Sequence, residues 1–213
     1  LSPSGKKGMI AWPQKPTGST KFATYTSGLK ADGTWSSSNA VNTDYALSVD
    51  YTHPFIAVND SGDVALTMMA TPDGTSSRLV ITNCAACSTT SAQGWATTLK
   101  TVQSIMNTGA IPKTVGKYFA ADLAIDNWGT ALITAGDENF RYSWAGTYSK
   151  NGVLSNLKPI GPANAMNIID SYGNFSFRYQ TMRATATGNA ILTTAIYDYQ
   201  STTPYKSGFM LLK

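Results

Sequence analysis

Residues 55–83 constrain the fold more than any other segment, because they form a pattern of three short strands joined by two tight turns. The apolar run that begins at Phe55 ends in an Asn-Asp-Ser-Gly turn, and a Pro-Asp-Gly-Thr turn follows the next apolar run. In that middle run, residues 64–70, neither alternate set of side chains is charged. Both faces of the middle strand must therefore be covered by other parts of a protein.

The same pattern recurs in residues 8–26, 123–148 and 182–212. The first-turn glycines are Gly8, Gly62, Gly129 and Gly188, and they stand 54 to 67 residues apart. Propeller blades repeat every roughly 40 to 50 residues, so these intervals suit blades with insertions. The sequence thus predicts an all-β fold, a β-propeller of about four blade repeats in a single domain, residues 1–213. The predicted repeats are residues 8–54, 55–122, 123–181 and 182–213.

The first and last copies of the pattern look incomplete. The sequence opens on the middle strand of a copy and closes on the third strand of a copy. Residues 1–5 are too polar and too rich in strand breakers to form the missing first strand. Three explanations stay open: incomplete terminal blades in a four-bladed ring, a longer propeller polypeptide, or strands supplied by a second copy. Since unpaired strand edges promote aggregation, we expect a partner, further sequence or close packing of the termini.

Residues 96–118 are an insertion in the longest repeat interval. Its apolar residues Leu99, Val102, Ile105 and Met106 have helical spacing, which predicts a short amphipathic helix that covers one end of the domain.

Composition narrows the classes of partner. Only 13% of the residues are charged, and the formal net charge of +4 comes from 16 Lys and Arg that form no continuous basic stripe. We therefore predict no nucleic-acid partner. No segment reaches the roughly 18 consecutive apolar residues of a membrane span, so we predict no membrane insertion. The abundance of Ser, Thr, Asn and Gly is typical of β proteins that are secreted or on the cell surface.

Cys84 and Cys87 form a Cys-x-x-Cys sequence within a Ser/Thr-rich connector. A redox motif of this spacing needs its first cysteine at a helix N-terminus, so the context favours a local disulfide or unreactive thiols. A closed zinc site needs four ligands and His53 is the only histidine, so we predict no metal and no cofactor. His53 lies just before a predicted strand, and the sequence has no Gly-x-Ser-x-Gly elbow. We therefore interpret His53 as a structural residue and not as a catalytic base.

The repeated sequence of Asp/Asn-x-x-Gly, an apolar-Ala-apolar strand, a Gly turn and a Gly-x-Trp segment resembles the degenerate blades of secreted microbial β-propellers. That group includes sialidase-like and lectin-like propellers. Residues 31–35, Ala-Asp-Gly-Thr-Trp, resemble the Asp-box Ser-x-Asp-x-Gly-x-Thr-Trp, except that Asp and Gly are adjacent. A sialidase-like site would need three convergent arginines and two carboxyl groups. The chain has eleven Asp, one Glu and the arginines Arg78, Arg141, Arg178 and Arg183, which lie in different strand and turn contexts.

Aromatic residues offer the most direct route to ligand binding, since five Trp and eleven Tyr occur in a weakly charged chain. Aromatic rings stack on sugar rings while amides and hydroxyls bond the sugar hydroxyls. Trp35 and Trp95 hold equivalent repeat positions and are expected to pack between blades. Residues 136–144 replace a compact turn by a polar and aromatic loop, and such departures often carry function. The predicted ligand-binding residues are Trp128, Asp137, Glu138, Arg141, Tyr142 and Trp144.

Three functions follow as hypotheses. The first is a noncatalytic extracellular recognition or assembly module that binds a glycan or another protein through propeller loops. The second is a structural subunit of a larger complex or filament, which includes a homo-oligomer. The third is a fragment of a sialidase-like glycoside hydrolase or a lyase.

Overall fold

The structure is a computed structural model, and it describes residues 1–20, 22–41, 46–47, 54–71, 78–87, 94–95, 100–101, 118–137, 143–155, 157–159, 175–184, 190–198 and 205–212. These residues contain strands and no α-helix, so the described fold is all-β, as the sequence predicts. The strands are β1 (Met9–Gln14), β2 (Ala23–Gly28), β3 (Asn39–Ala40), β4 (Ala46–Leu47), β5 (Phe55–Val58), β6 (Val64–Thr71), β7 (Arg78–Cys84), β8 (Lys100–Thr101), β9 (Tyr118–Ile125), β10 (Ala131–Asp137), β11 (Ser143–Tyr148), β12 (Lys158–Pro159), β13 (Phe175–Ala184), β14 (Ala190–Asp198) and β15 (Tyr205–Leu212).

These strands form four antiparallel sheets, each built from strands that follow one another along the chain. Sheet 1 has the order β1-β2-β3, sheet 3 has β9-β10-β11-β12 and sheet 4 has β13-β14-β15. In sheet 2, β4 and β5 pair with the same edge of β6, which continues to β7 and β8. The sheets pack in chain order, because β1 contacts β5, β5 contacts β9 and β9 contacts β13. The first strands of sheets 2, 3 and 4 therefore lie side by side.

β6 is buried on both faces, as its uncharged sequence predicts. On one face, Leu66 packs in a cluster with Met9 of sheet 1. On the other face, Ala65 packs in a cluster with Leu123 and Ile133 of sheet 3. Two apolar layers, one on each side of sheet 2, thus hold the first three sheets together.

The first strands are irregular at a shared position. β5 pairs with β6 from Val64 to Thr67 and then ends. The pairing of β9 with β10 shifts register between Thr134 and Ala135 of β10. The pairing of β13 with β14 shifts register between Arg178 and Thr181 of β13. Because a bulge interrupts the alternation of side chains, it hides the earlier half of the strand from sequence analysis. Sheets 3 and 4 begin at Tyr118 and Phe175, and sheet 2 also contains the separate short strand β4 at Ala46.

The predicted helix in residues 96–118 is wrong at the three residues that the structure describes there, because Tyr118 begins β9. Lys100 and Thr101 form β8, which pairs with Ile81 and Val80 of β7. Pairing with the open edge of β7 satisfies backbone groups that a helix would have left exposed on that strand. Leu99, Val102, Ile105 and Met106 lie outside the described residues.

One turn recurs where strands meet. In the turn after β5, the Asn59 N–H donates to the Asp63 carbonyl at 3.1 Å and the Gly62 N–H donates to the Asn59 carbonyl at 3.0 Å. Gly62 has a φ of 85°, so the turn is a three-residue hairpin loop with glycine in the left-handed region. Gly129 repeats this conformation with a φ of 84°. Gly8 does not, because its backbone lies outside that region and its carbonyl pairs with Leu29, so Gly8 is not a first-turn glycine.

Candidate functional site

Trp128 sits in the turn between β9 and β10, and its exposed fraction is 63%. The Asp126 carboxylate fixes this turn, because Oδ1 accepts hydrogen bonds from the Trp128 N–H at 2.9 Å and the Thr130 N–H at 2.8 Å. The Gly129 N–H adds a bond to the Asp126 carbonyl. The indole is thus carried by a turn whose backbone donors are satisfied from a buried carboxylate.

A cluster of polar residues behind this turn, which we call the turn junction, consists of Asn59, Asp63, Asp126 and Lys150. Asn59 is fully buried, and its Nδ2 donates to the Asp126 carbonyl at 2.8 Å. The Asp63 Oδ2 accepts from the Lys150 Nζ at 2.8 Å. These contacts join the turn of sheet 2 to two turns of sheet 3. The junction therefore fixes the relative position of the two sheets at this end.

Asp63 is the acceptor at the centre of the turn junction. Its Oδ1 accepts from the Ala86 N–H at 3.0 Å, and its Oδ2 also lies 3.4 Å from Asn59 Nδ2. Burial raises the pKa of the Asp63 carboxyl, but hydrogen bonds from Lys150, Ala86 and Asn59 outweigh that effect, so the pKa is lowered from its usual value. Asp63 is thus a structural carboxylate that stays ionised and is not placed to act as an acid.

The neighbouring turn of sheet 3 is held in the same way. The Asn83 Nδ2 donates to the carbonyls of Ser149 at 3.1 Å and Lys150 at 2.8 Å. A methyl group on Gly129 would come within 3.0 Å of both Asp63 Oδ2 and the Lys150 side chain. Lys150 is therefore positioned from both sides, although its side chain remains 48% exposed.

A disulfide joins Cys84 and Cys87 next to this junction, with their Cα atoms 5.5 Å apart. Both cysteines are buried, and the four-residue ring that they close presents the Ala86 N–H to Asp63. The ring also holds Ala86 at a φ of 52°, which is uncommon for a residue other than glycine. The disulfide thus supports the turn junction.

Replacing Cys84 and Cys87 together by alanine should lower the free energy of unfolding by about 2 kcal/mol, because the unfolded chain loses a short cross-link. Urea unfolding of the variant and the wild type would measure the difference. A reducing agent should destabilise the wild type by a similar amount and leave the double variant unchanged. Equal stability of oxidised wild type and variant would contradict a supporting role for the disulfide.

A cavity of about 570 Å³ lies between the first strands of sheets 2 and 3. Its lining consists of residues 1–3, Ile56, Ala57 and Val58 of β5, and Asp122, Leu123, Ala124 and Ile125 of β9. The volume is in the range of small-molecule sites, which is about 300 to 1,000 Å³. Among the described residues of this lining, Asp122 is the one carboxylate, and its Oδ1 accepts from the Leu123 N–H at 2.8 Å.

The cavity and Trp128 are at the same end of the sheets. Ile125 lines the cavity and Trp128 follows it by three residues, so their Cα atoms are at most about 11 Å apart. The first-strand ends, the turn junction and the turn that bears the exposed indole therefore lie near one another at this end of the sheets. An aromatic platform beside an aliphatic cavity with a carboxylate can bind a ligand that has both apolar faces and hydroxyl groups.

The structure separates the predicted ligand-binding residues. Asp137 ends β10 and Trp144 lies in β11, whereas Trp128 precedes β10. Six residues of extended strand span about 20 Å, so Trp128 and Asp137 lie at opposite ends of sheet 3. Glu138, Arg141 and Tyr142 lie outside the described residues, and the loop of residues 136–144 stays a prediction. His53 and the turn at residues 72–77 also lie outside them.

Sequence analysis did not identify the turn junction. Asn59 and Asp126 both begin an Asn/Asp-x-x-Gly sequence, and this repeated signal could have marked them as turn residues. Nothing local could have paired Asp63 with Lys150, which follows it by 87 residues. The expected packing of Trp95 is confirmed, since it is 8% exposed, but Trp35 is 43% exposed. Trp35 was expected to pack between two blades. In the described part of the chain, no other sheet packs on the face of sheet 1 that points away from sheet 2.

Among the described residues, no helix is long and apolar enough to span a membrane. No cluster of three or more His, Cys, Asp or Glu in the same ranges is arranged to hold a metal ion.

Comparison with known proteins gives a likeness in fold to two solved structures and no match in sequence. No family model matches the sequence, and no curated protein matches it. Among solved structures, a Hadza microbial sialidase matches with a TM-score of 0.53 and 10% identity, covering 99% of this chain and 42% of the sialidase. A Penicillium chrysogenum alpha-L-arabinanase complexed with arabinobiose matches with a TM-score of 0.50 and 13% identity, covering 99% of this chain and 59% of the arabinanase. The chain thus spans less than two thirds of either structure, and the likeness supports a sialidase-like propeller fold.

Proposed function

We propose that this chain is a noncatalytic, extracellular glycan-recognition module. The four sheets serve as blades of one propeller domain, residues 1–213. The glycan binds at the end of the sheets that carries Trp128 and the cavity. Secretion or display at the cell surface is part of this proposal and agrees with the low content of charged residues.

The exposure of Trp128 is the observation that carries the proposal. A tryptophan that is 63% exposed removes little apolar surface from water, so packing within this chain does not account for its position. The Asp126 carboxylate fixes the backbone that bears it. A ring on a fixed backbone loses less conformational freedom on binding, and its face can stack on the C–H face of a sugar.

The cavity supplies the second contact. Aliphatic side chains from β5 and β9 form its walls, and the Asp122 carboxylate can accept hydrogen bonds from sugar hydroxyls. The described residues of the lining include one carboxylate, whereas glycoside hydrolysis in its usual form needs two. Binding without turnover therefore fits this cavity better than hydrolysis.

The fold likeness agrees with a carbohydrate ligand. The matched arabinanase was solved in complex with arabinobiose, and the other matched protein is a sialidase. At 10% and 13% identity these structures support the fold of this chain, and the glycan ligand is our proposal.

A hydrolase remains the second candidate, because Asp122 lies in a cavity formed by the first strands. An Asp122→Asn variant distinguishes the two functions. If the wild type releases sugar from a glycan that it binds and Asp122→Asn abolishes that release, the chain is an enzyme and the noncatalytic proposal fails.

Trp128→Ala should reduce glycan binding at least about fivefold, because one stacked aromatic ring contributes roughly 1 to 3 kcal/mol to such contacts. The measurement is a glycan array followed by calorimetry on the best ligand. Unchanged unfolding by urea would show that the exposed indole is not needed for folding. Trp35→Ala is the matched control, since Trp35 is also exposed but lies in sheet 1.

The same titration tests the loop at the opposite end of sheet 3. A variant with Glu138→Gln and Arg141→Ala should bind as the wild type does if the ligand contacts Trp128. Loss of binding in that variant, with Trp128→Ala unaffected, would move the site to residues 136–144 and overturn the proposed location. No saturable glycan binding at all would overturn the function.

A further inference from the structure

Lys150 lies beside the turn that carries Trp128. A methyl group on Gly129, the residue after Trp128, would lie 3.0 Å from the Lys150 Cδ and 3.2 Å from its Cβ. The same methyl group would lie 3.0 Å from the Asp63 Oδ2, which accepts from the Lys150 Nζ at 2.8 Å. Both the stem and the ammonium group of Lys150 are therefore next to Gly129. Because adjacent Cα atoms are about 3.8 Å apart, a ring stacked on Trp128 lies within reach of this lysine.

The backbone of Lys150 is fixed by the turn that follows β11. The Ser149 N–H donates to the Val153 carbonyl at 2.9 Å, and the Val153 N–H donates to the Ser149 Oγ at 3.1 Å. The Gly152 N–H donates to the Ser149 carbonyl at 2.9 Å. The Asn83 Nδ2 donates to the Lys150 carbonyl from the neighbouring sheet. A side chain on a fixed backbone loses less conformational freedom when it binds a ligand.

The ammonium group of Lys150 keeps donors for a ligand. An ammonium group has three N–H donors, and the contact with the Asp63 Oδ2 uses one of them. The Asp63 side chain is 6% exposed, whereas the Lys150 side chain is 48% exposed, so water reaches the pair from the lysine side. A half-exposed ion pair contributes little to folding, so stability alone does not explain a lysine whose backbone and stem are both held in place.

The charges at this turn favour a neutral ligand. The Asp63 carboxylate already offsets the charge of Lys150. The Asp126 carboxylate lies buried behind Trp128 and accepts from its backbone N–H. The turn junction thus holds two carboxylates and one ammonium group. A carboxylate on a ligand at Trp128 would be repelled by both aspartates, whereas a hydroxyl oxygen would accept from Lys150 without that repulsion.

We propose that Lys150 is a specificity-determining residue of the glycan site, where its ammonium group donates a hydrogen bond to a hydroxyl of the sugar that stacks on Trp128. The site consequently prefers neutral sugars to sugars that carry a carboxylate. This inference rests on the proposed function, because it takes Trp128 as the stacking residue. A stacked ring face together with one directed donor fixes both the position and the orientation of a sugar ring.

The first test uses the wild-type chain and a glycan array in which each oligosaccharide of glucose, galactose or mannose is paired with its C6-oxidised form, which carries carboxylates. Within each pair that binds, the neutral member should bind at least about fivefold more tightly. Equal or tighter binding of the oxidised member would overturn this inference and leave the proposed function standing. Absence of saturable binding throughout the array would overturn both.

Lys150→Met tests the lysine directly, because methionine keeps a stem beside Gly129 and removes the ammonium group. It should weaken binding of the best neutral probe at least about fivefold. Lys30→Met is the matched control, since Lys30 is exposed, lies in the same turn as Asp32 and gives the same change in net charge. The control should bind within about twofold of the wild type. Unchanged binding by Lys150→Met would overturn the inference.

A set of deoxy sugars separates a direct contact from support of the turn junction. Each analogue of the best neutral probe lacks one hydroxyl, and its binding is measured with the wild type and with Lys150→Met. One missing hydroxyl should weaken binding to the wild type at least about fivefold and binding to the variant by less than about twofold. Equal losses in the two proteins for every hydroxyl would mean that Lys150 acts only through the turn, which would overturn the direct contact. If Lys150→Met does not fold, the paired array decides the inference.

Discussion

Replacement of Asp63 by alanine is expected to lower the free energy of unfolding by about 3 kcal/mol. The substitution leaves the Ala86 N–H and the Asn59 Nδ2 without their carboxylate acceptor, and both groups face a buried site. The Lys150 ammonium loses its partner as well, but its half-exposed side chain can turn toward water, which limits that part of the loss. Urea unfolding at pH 7 would measure the change.

The effect of Asp63 should also depend on pH. Burial raises the pKa of its carboxyl, but the hydrogen bonds that it accepts, first that from Lys150, lower the pKa below the ordinary value of 3.8. A lowered folded-state pKa contributes stability above the unfolded-state pKa, and that stability is lost as the pH falls through the folded-state value. The difference in stability between the wild type and Asp63→Asn should therefore be full at pH 7 and shrink below about pH 4.

Asp60→Asn is the matched control for this prediction. Asp60 belongs to the same turn, but its carboxylate is exposed and bonds Ser4 at the surface. We expect little change in stability at pH 7. If Asp63→Asn shows no greater loss than Asp60→Asn, or if its deficit persists unchanged at pH 3, the turn junction does not depend on an ionised Asp63.

Local patterns were sufficient to predict the strands of sheet 2. The apolar runs and the turn at Gly62 give β5, β6 and β7 to within two residues, because tight turns and uncharged strands are local properties. The first halves of β9 and β13 escaped detection, since a bulge shifts the side-chain period in the middle of each strand. The helical spacing around Leu99 led to a wrong prediction of a helix, because two residues of that segment form a strand that pairs with β7.

The candidate site was predictable only in part. Trp128 was one of the predicted ligand-binding residues, and the structure shows it exposed. Trp128 is separated from Asp137 because β10 runs between them. The length of that strand could not be inferred from the unusual residues alone. The turn junction was not predictable, since Asn59 meets the Asp126 carbonyl only after two sheets have packed. Long-range polar pairs of this kind have no periodic signal in one sequence.

Ile133→Ala should lower the free energy of unfolding by about 3 to 4 kcal/mol, whereas Ile10→Ala should cost less than about 1 kcal/mol. The two residues hold corresponding positions in β10 and β1, but Ile133 is 0% exposed and Ile10 is 43% exposed. Truncating Ile133 leaves a cavity in the cluster between sheets 2 and 3, while truncating Ile10 mainly removes surface that water already contacts. Urea unfolding of both variants would measure the contrast.

Leu66→Ala completes the comparison, because Leu66 holds the same position in β6 and is also 0% exposed. Its cost should approach that of Ile133→Ala, so the series would rank the three sheets by how completely each is covered. A loss of about 3 kcal/mol for Ile10→Ala in the isolated chain would show that its side chain is already buried in solution. The apolar face of sheet 1 would then be covered within the chain itself.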